Sequence, residues 1–572
     1  MTVFIGNIQR EFPVRGVLKN EEEISGQIGD LYLKNGKPSR LVLKKETITG
    51  TVLSVREDEI EIEGYGTVPL SEDFKIYRTY GVLKEQKKSD ILVGYHMQTF
   101  VVAGDEICAA LTTEKPEIDN IRVLLMTTNF KSLFHPEITL VCDSMAVLEY
   151  GDEKDKKTQA VAAGEPVTIS AGDPRLESGR MVFRSANEGG MITVRNIERS
   201  QGTPVYPGHM EITGEEEGLL LLNEVDLEEY LKRVVPSEMP YTYELEALKA
   251  QAVCAWTYAW RQIRGSSYSE YGAHVDDSTS YQVYNNITEA DSATTAVKET
   301  YGQMILTDEG TVANTYYYST SCGVGTTANV WKTAEAEALD YLKSSRLNPE
   351  SLMETDGGAI AADSNEVNGD AGSEDLREEE AFRDFITETH AEDYEAQEGW
   401  YRWTYTVKEI DVDRIVETLK KRYEANGKLI LTLKDDDYVS QNIKAFSKVN
   451  DISVVKRGPG GVADEMVIVT DKGTFKVISE YNIRAVLCDG VTKVVRQDGS
   501  EVAMPNLLPS AFFVIEPSHD KKNVVGYNII GGGFGHGVGM SQNGAKNMAL
   551  QGLGAEQILN FFYEGCEICS GQ

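Results

Sequence analysis

The densest chemical signal in the chain is the stretch from Asn223 to Tyr258, NEVDLEEYLKRVVPSEMPYTYELEALKAQAVCAWTY, in which Glu238 stands among Pro236, Met239 and Pro240. None of these neighbours carries a side-chain donor able to solvate a carboxylate. A pocket built from them raises the pKa and keeps a proton available for general-acid work. The competing reading is a Glu near a helix start that makes a cap or dipole interaction, worth about 0.5 to 1 kcal/mol. His536 is the second candidate. It sits in the glycine-rich run Gly531 to Gly539, where it either approaches a ligand closely or hydrogen-bonds a carbonyl while the glycines permit tight backbone packing.

These residues need elements to hold them. From Tyr243 to Ile263, Leu245, Leu248, Ala252, Trp256, Ala259 and Ile263 recur at spacings of 3, 4, 4, 3 and 4, which predicts a helix with one buried face. Thr242 is placed to cap it and Gly265 to stop it. Upstream, residues 1–112 read as short strands, with alternation in Glu59-Ile60-Glu61-Ile62-Glu63 and turn signals at Asn35-Gly36 and Gly64-Tyr65-Gly66. A second β-rich unit, residues 117–222, carries Ile121 to Leu125, Pro166 to Ser170 and Leu219 to Leu222. Within the remainder, residues 353–380 hold ten acidic side chains against one Arg and few large apolar ones, the composition of a disordered surface insertion. Patterned sequence resumes with an alternating strand at Trp400 to Val407 and an amphipathic stretch from Asp411 to Tyr423. Two short helices are expected at Ser541 to Gln551 and Ala555 to Tyr563.

Four segments occur in one order: Asn223 through the helix, Tyr316-Tyr317-Tyr318-Ser319-Thr320-Ser321-Cys322-Gly323, Leu508-Pro509-Ser510, and Gly533-Phe534-Gly535-His536-Gly537-Val538-Gly539-Met540-Ser541-Gln542. In this the chain resembles the stage II sporulation protein D family, whose motifs are shared by the amidase-enhancer branch of bacterial cell-wall proteins. The resemblance implies an α+β core at 223–568 behind β-rich N-terminal domains, in a multidomain α+β chain. It implies an extracytoplasmic lytic transglycosylase that cuts peptidoglycan glycan strands, preferably stripped of peptide, with the catalytic Glu mapping onto Glu238. His536, Tyr318, Ser319, Ser321 and Gln542 map onto the sugar cleft. A wall amidase or other sporulation or wall proteins are the implied partners, and the rival implication is a non-catalytic glycan binder that stimulates such an amidase. A purely structural wall protein is a third reading. Residues 1–112 lie outside the resemblance and are expected to act as spacers or binding modules by fold-level analogy.

Two departures from the family pattern bear on activity. Relatives commonly carry Ala-Arg-Thr-Tyr where this helix has Ala255-Trp256-Thr257-Tyr258, so a cation is missing and Trp256 either stacks on a sugar or fills the core. Some relatives bind zinc through His and Cys residues near a Cys-Gln-x-Tyr element, which here reads Tyr281-Gln282-Val283-Tyr284. Only His274 remains nearby, so neither a structural zinc nor any other metal or cofactor is expected.

Composition closes off other classes. A chain of 572 residues with 41% apolar and 9% aromatic residues folds as several domains. Its 56 basic and 91 acidic side chains give a net charge of -35, which opposes nucleic-acid binding. Seven cysteines are too sparse and irregular for a disulfide scaffold, and the Cys566-Glu-Ile-Cys569 pair reads as incidental or a simple disulfide. No G-x-G-x-x-G, P-loop, H-E-x-x-H or G-x-S-x-G signature occurs. The first residues show no export signal and no span of about 20 apolar residues is present, so export is expected from the resemblance alone.

Overall fold

The structure, a computed structural model, describes residues 2–5, 7–12, 24–152, 155–177, 179–265, 267–285, 287–356 and 375–570. Of the acidic stretch 353–380, residues 357–374 lie outside the described residues. The helix Pro349–Asp356 runs up to them and the helix Glu379–Thr387 begins shortly after. The chain divides into two compact units, one of Met1–Tyr241 with Tyr258–Gly302, the other of Thr242–Thr257 with Gln303–Gly571. Both mix strands with helices in an α+β arrangement, and the N-terminal part is the strand-rich one.

In the first unit, Asn35 and Gly36 take φ of 53° and 73°, as a two-residue hairpin turn requires, and join Ile28–Lys34 to Lys37–Lys44. Alternation in Glu59–Ile62 sends Ile60 and Ile62 into a core with Val52, Phe100 and Ile107 and leaves the glutamates half-exposed. A seven-stranded sheet follows, in the order 157–161, 146–150, 181–185, 209–215, 218–226, 120–124 and 275–276. Strand Gly218–Asp226 is apolar on both faces, with Leu219 to Leu222 all buried. It feeds directly into the helix Leu227–Glu238, where the Asp226 carboxylate accepts the Glu229 N–H at 3.0 Å and caps the first turn.

Two arginines knit the polar core of this sheet, and Arg180, through Glu61, ties the N-terminal strands to it. Arg122 donates to Glu211 at 2.6 Å and to the Gly272 carbonyl at 2.6 Å. Arg180 bridges Glu211 and Glu61, the latter through Nε at 3.1 Å. Burial of unpaired charge is costly, so each guanidinium is matched by carboxylates and carbonyls. The N-terminal strands are therefore packed into the first unit and share its polar core.

The second unit holds two five-stranded antiparallel sheets, ordered 501–503, 493–496, 403–407, 523–531, 513–520 and 437–439, 430–434, 473–478, 463–470, 449–457. Trp403, Tyr405 and Val407 face inward and alternate with exposed threonines, as the sequence pattern requires. The helices Gln542–Leu550 and Ala555–Phe562 stand where the sequence places them. All seven cysteines are free thiols, Cys566 and Cys569 included. No helix among the described residues is long and apolar enough to cross a membrane.

Candidate active site

Glu238 is the last residue of the helix Leu227–Glu238. Pro236 cannot donate to the helix ladder, and Met239 turns extended, with φ -130° and ψ 132°, so the chain leaves the helix at the carboxylate. The side chain is half-buried, and its Oε1 accepts the Val283 N–H at 2.8 Å. The segment that supplies this donor is itself fixed. Tyr230 donates to Gln282 Oε1 at 3.3 Å, and Tyr284 donates to Asn223 Oδ1 at 2.9 Å. The Tyr284 ring lies 4.8 Å from that of Tyr230 and 5.4 Å from that of Tyr206. Ser237 Oγ donates to the Arg233 carbonyl at 2.7 Å and accepts the Ile287 N–H at 3.1 Å, so the residue before the carboxylate is also pinned.

This differs from the sequence expectation in two ways. Glu238 precedes the amphipathic helix but also closes one of its own, and the amphipathic helix begins at Leu245, leaving Thr242 ahead of its first turn. Side-chain donors are indeed absent from Pro236, Met239 and Pro240, but a backbone donor arrives from 45 residues downstream. Trp256 is buried, 6% exposed, and so offers no ring face to a sugar.

His274, the one metal-ligand type near the Tyr281-Gln282-Val283-Tyr284 element, uses both ring nitrogens inside the protein. Nδ1 accepts the Arg122 N–H at 3.0 Å and Nε2 meets the Val93 carbonyl at 2.9 Å. Burial pushes its pKa down to about 3 and keeps it neutral. His209, Glu211 and Glu224 do converge within 4.8 Å of one another. Arg122 and Arg180 already neutralise that group and hold Glu211 well below the usual carboxylate range, so a cation there would face two fixed guanidinium charges.

The other predicted site residues fall in the second unit, and there they gather. Tyr317–Tyr318 pairs in parallel with Met540–Ser541, and Thr320 bridges to Phe534, so the Tyr-Tyr-Ser-Thr-Ser and glycine-rich segments run side by side. The glycines are required: at Gly535, φ is +123° and a Cβ would meet Tyr318 Cβ at 2.6 Å, and at Gly539, φ is +75° and a Cβ would meet the Tyr316 carbonyl oxygen at 2.0 Å. His536 Nδ1 accepts the Val538 N–H at 3.1 Å, and the ring also bonds the Tyr317 carbonyl. Desolvation and Arg484 lower its pKa to about 4. Its ring stands 5.3 Å from Trp331 and 5.7 Å from Tyr318. What it offers a ligand near neutral pH is a ring edge, not a proton.

Ser321 is buried and bonds Glu395, which the sequence reading did not single out. Ser319 is half-buried, its carbonyl accepting the Asn543 N–H at 3.0 Å, while Gln542 Nε2 donates to Gln251 Oε1 at 3.3 Å. Tyr243 donates to Asn543 Oδ1 at 2.5 Å, and Asn543 Nδ2 donates to Thr320 Oγ1 at 2.9 Å. Glu395 lies 74 residues from Ser321 and 146 from Ser541, so only its position between the acidic stretch and the Trp400 strand was legible.

Residues 215–307, which contain Glu238 and its Val283 donor, match the model of the stage II sporulation protein family, SpoIID. Over this segment the chain is similar to the stage II sporulation protein family. Residues 326–539 match a second model, a domain of unknown function (DUF8618), which covers Glu395 and the His536 loop and adjoins Met540. The chain is 26% identical over 345 residues to the amidase enhancer of Bacillus subtilis (strain 168), covering 59% of this chain and 40% of that protein. It is 37% identical over 134 residues to stage II sporulation protein D of the same organism and 38% over 134 residues to that of Bacillus amyloliquefaciens, in each case 21% of this chain and 38% of the relative. The chain thus spans two fifths or less of the length of these curated relatives.

Proposed function

We propose that this chain is a member of the SpoIID family and acts on bacterial cell wall as a peptidoglycan lytic transglycosylase, with Glu238 as its single acid and base. The observation that carries this reading is the carboxylate itself: it ends a capped helix, is half-buried, and is oriented by the Val283 amide at 2.8 Å. In the reaction Glu238 protonates the glycosidic oxygen as the bond to the muramic anomeric carbon breaks. The sugar's own 6-hydroxyl then bonds that carbon and returns its proton to Glu238, leaving a 1,6-anhydro end. Because the substrate supplies the nucleophile, no second carboxylate at hydrolase spacing is needed. Extracytoplasmic action on the wall accords with this substrate.

The amidase-enhancer match supports a second reading, in which the chain binds glycan and stimulates a separate wall amidase without cutting. The absence of a cation at Trp256 favours it, since nothing at that helix position then steadies an anionic substrate. The two readings separate when the full chain and Glu238→Gln are incubated with peptide-free glycan strands and the products weighed by mass spectrometry. Anhydro-ended fragments from the wild type alone support cleavage. Their absence, with amidase release of peptide faster in the chain's presence, supports the enhancer.

A further inference from the structure

The most unusual buried group outside the Glu238 site is Glu395. Its side chain is 0% exposed, and three donors converge on it: the Ser321 N–H at 2.9 Å and the Ser541 hydroxyl at 2.7 Å on Oε1, and the Ser321 hydroxyl on Oε2. Each serine is engaged a second time. Ser321 Oγ accepts the Gly323 N–H at 3.1 Å, and Ser541 Oγ accepts the Gly544 N–H at 3.3 Å, capping the helix Gln542–Leu550. Both serines are at least 98% buried, so neither they nor Glu395 can touch a substrate.

The charged groups around Glu395 are spoken for. Glu398 is paired with Lys546 and accepts Asn547 Nδ2 at 2.9 Å. Lys546 Nζ sits 5.2 Å from the centroid of the Tyr243 ring. Asp393 accepts Arg346 and Tyr401, each at 2.6 Å. Tyr318 and Tyr243 face it as neutral phenols, their pKa values raised by burial with Glu395 adding to the shift. The Glu395 carboxyl is pushed up to about 7 by desolvation, against the pull of its serine donors, with Glu398 adding to the rise.

We propose that Glu395 is a positioning residue: a proton-responsive tie that joins the Thr320-to-Gly323 turn to the start of the Gln542–Leu550 helix through Ser321 and Ser541. Ser319, which precedes that turn, and Gln542, which opens that helix, map onto the sugar cleft by the resemblance, so the use of the tie rests on that reading. The energetics give it a direction. A carboxyl that prefers its proton when buried favours the closed tie when protonated, and ionisation pushes it toward water. Between the ordinary value of 4.5 and about 7, opening becomes about tenfold more frequent per pH unit, then levels.

Amide hydrogen exchange on the full chain reads this without any glycan. Protection at Ser321 and Gly544 is expected to fall through that window in the wild type and to stay flat in Glu395→Gln, with strand Ala463–Thr470 unaffected in both. Equal profiles in the two proteins, or no pH dependence in the wild type, overturn the proposal. Should Glu395→Gln fail to fold, Ser541→Ala decides: removing one donor to the ionised form must move the upper limit of the window to higher pH, and an unmoved limit overturns the tie. Peptide-free glycan strands are added in a parallel arm. If exchange behaves as stated but no glycan binds, the proposed function fails and the tie stands.

Discussion

At the scale of single residues, the same side chain is set to two uses by its surroundings. Glu238 is half-buried and oriented by the Val283 amide, whereas Glu395 is sealed among serines. Glu238→Gln keeps the shape and removes the proton, so glycan cleavage is expected to drop by about 100-fold or more with little change in folding, as steady-state rates and circular dichroism will report. Glu395 instead couples to stability. Its folded pKa, about 7, lies above its unfolded value, so its contribution is complete below about 4.5 and is lost as pH rises through 7. The difference amounts to about 3 kcal/mol, and Glu395→Gln is expected to remove that slope from a denaturant series across the window. His536 works in the opposite sense. Its depressed value, about 4, gives stability that is present above 6.5 and lost as pH falls toward 4. Comparing wild type with one variant at a time therefore isolates each slope.

At the scale of elements, patterning was legible where period and burial agree. Trp403–Val407 alternates, the Leu245–Gly265 helix keeps its apolar spacing, and Asn35-Gly36 makes its turn, because each depends on residues close in sequence. The helix Leu227–Glu238, with Pro236 in its last turn, was not among the elements read from the sequence. The groups that complete each candidate site were not legible either. The Val283 amide reaches Glu238 across 45 residues, and Glu395 reaches Ser541 across 146, so no local pattern announces them. The glycine-rich segment yields a test at this scale. Gly539→Ala introduces a Cβ at positive φ against the Tyr316 carbonyl and is expected to cost about 1–3 kcal/mol or more in chemical unfolding, separating Tyr317–Tyr318 from Met540–Ser541.

At the scale of the molecule, residues 24–112 contribute Glu61 and the Val93 carbonyl to the first unit's polar core. Deleting them leaves Arg180 without Glu61 and His274 without the Val93 carbonyl. A buried donor stripped of its partner costs about 1–3 kcal/mol, and Arg180 keeps only Glu211, so the truncated chain is expected to melt below the full one in calorimetry. The net charge of -35 accords with the proposed polysaccharide substrate, whose recognition would rest on hydrogen bonds and ring edges more than on phosphate-like attraction. Whether that polysaccharide is cut, and by Glu238, is decided most directly by digesting peptide-free glycan strands with the full chain in heavy-oxygen water. The account predicts new chain ends that carry an internal anhydro bond and no solvent oxygen, and none from Glu238→Gln. Ends labelled by solvent oxygen, equal release by the variant, or no release at all would contradict it.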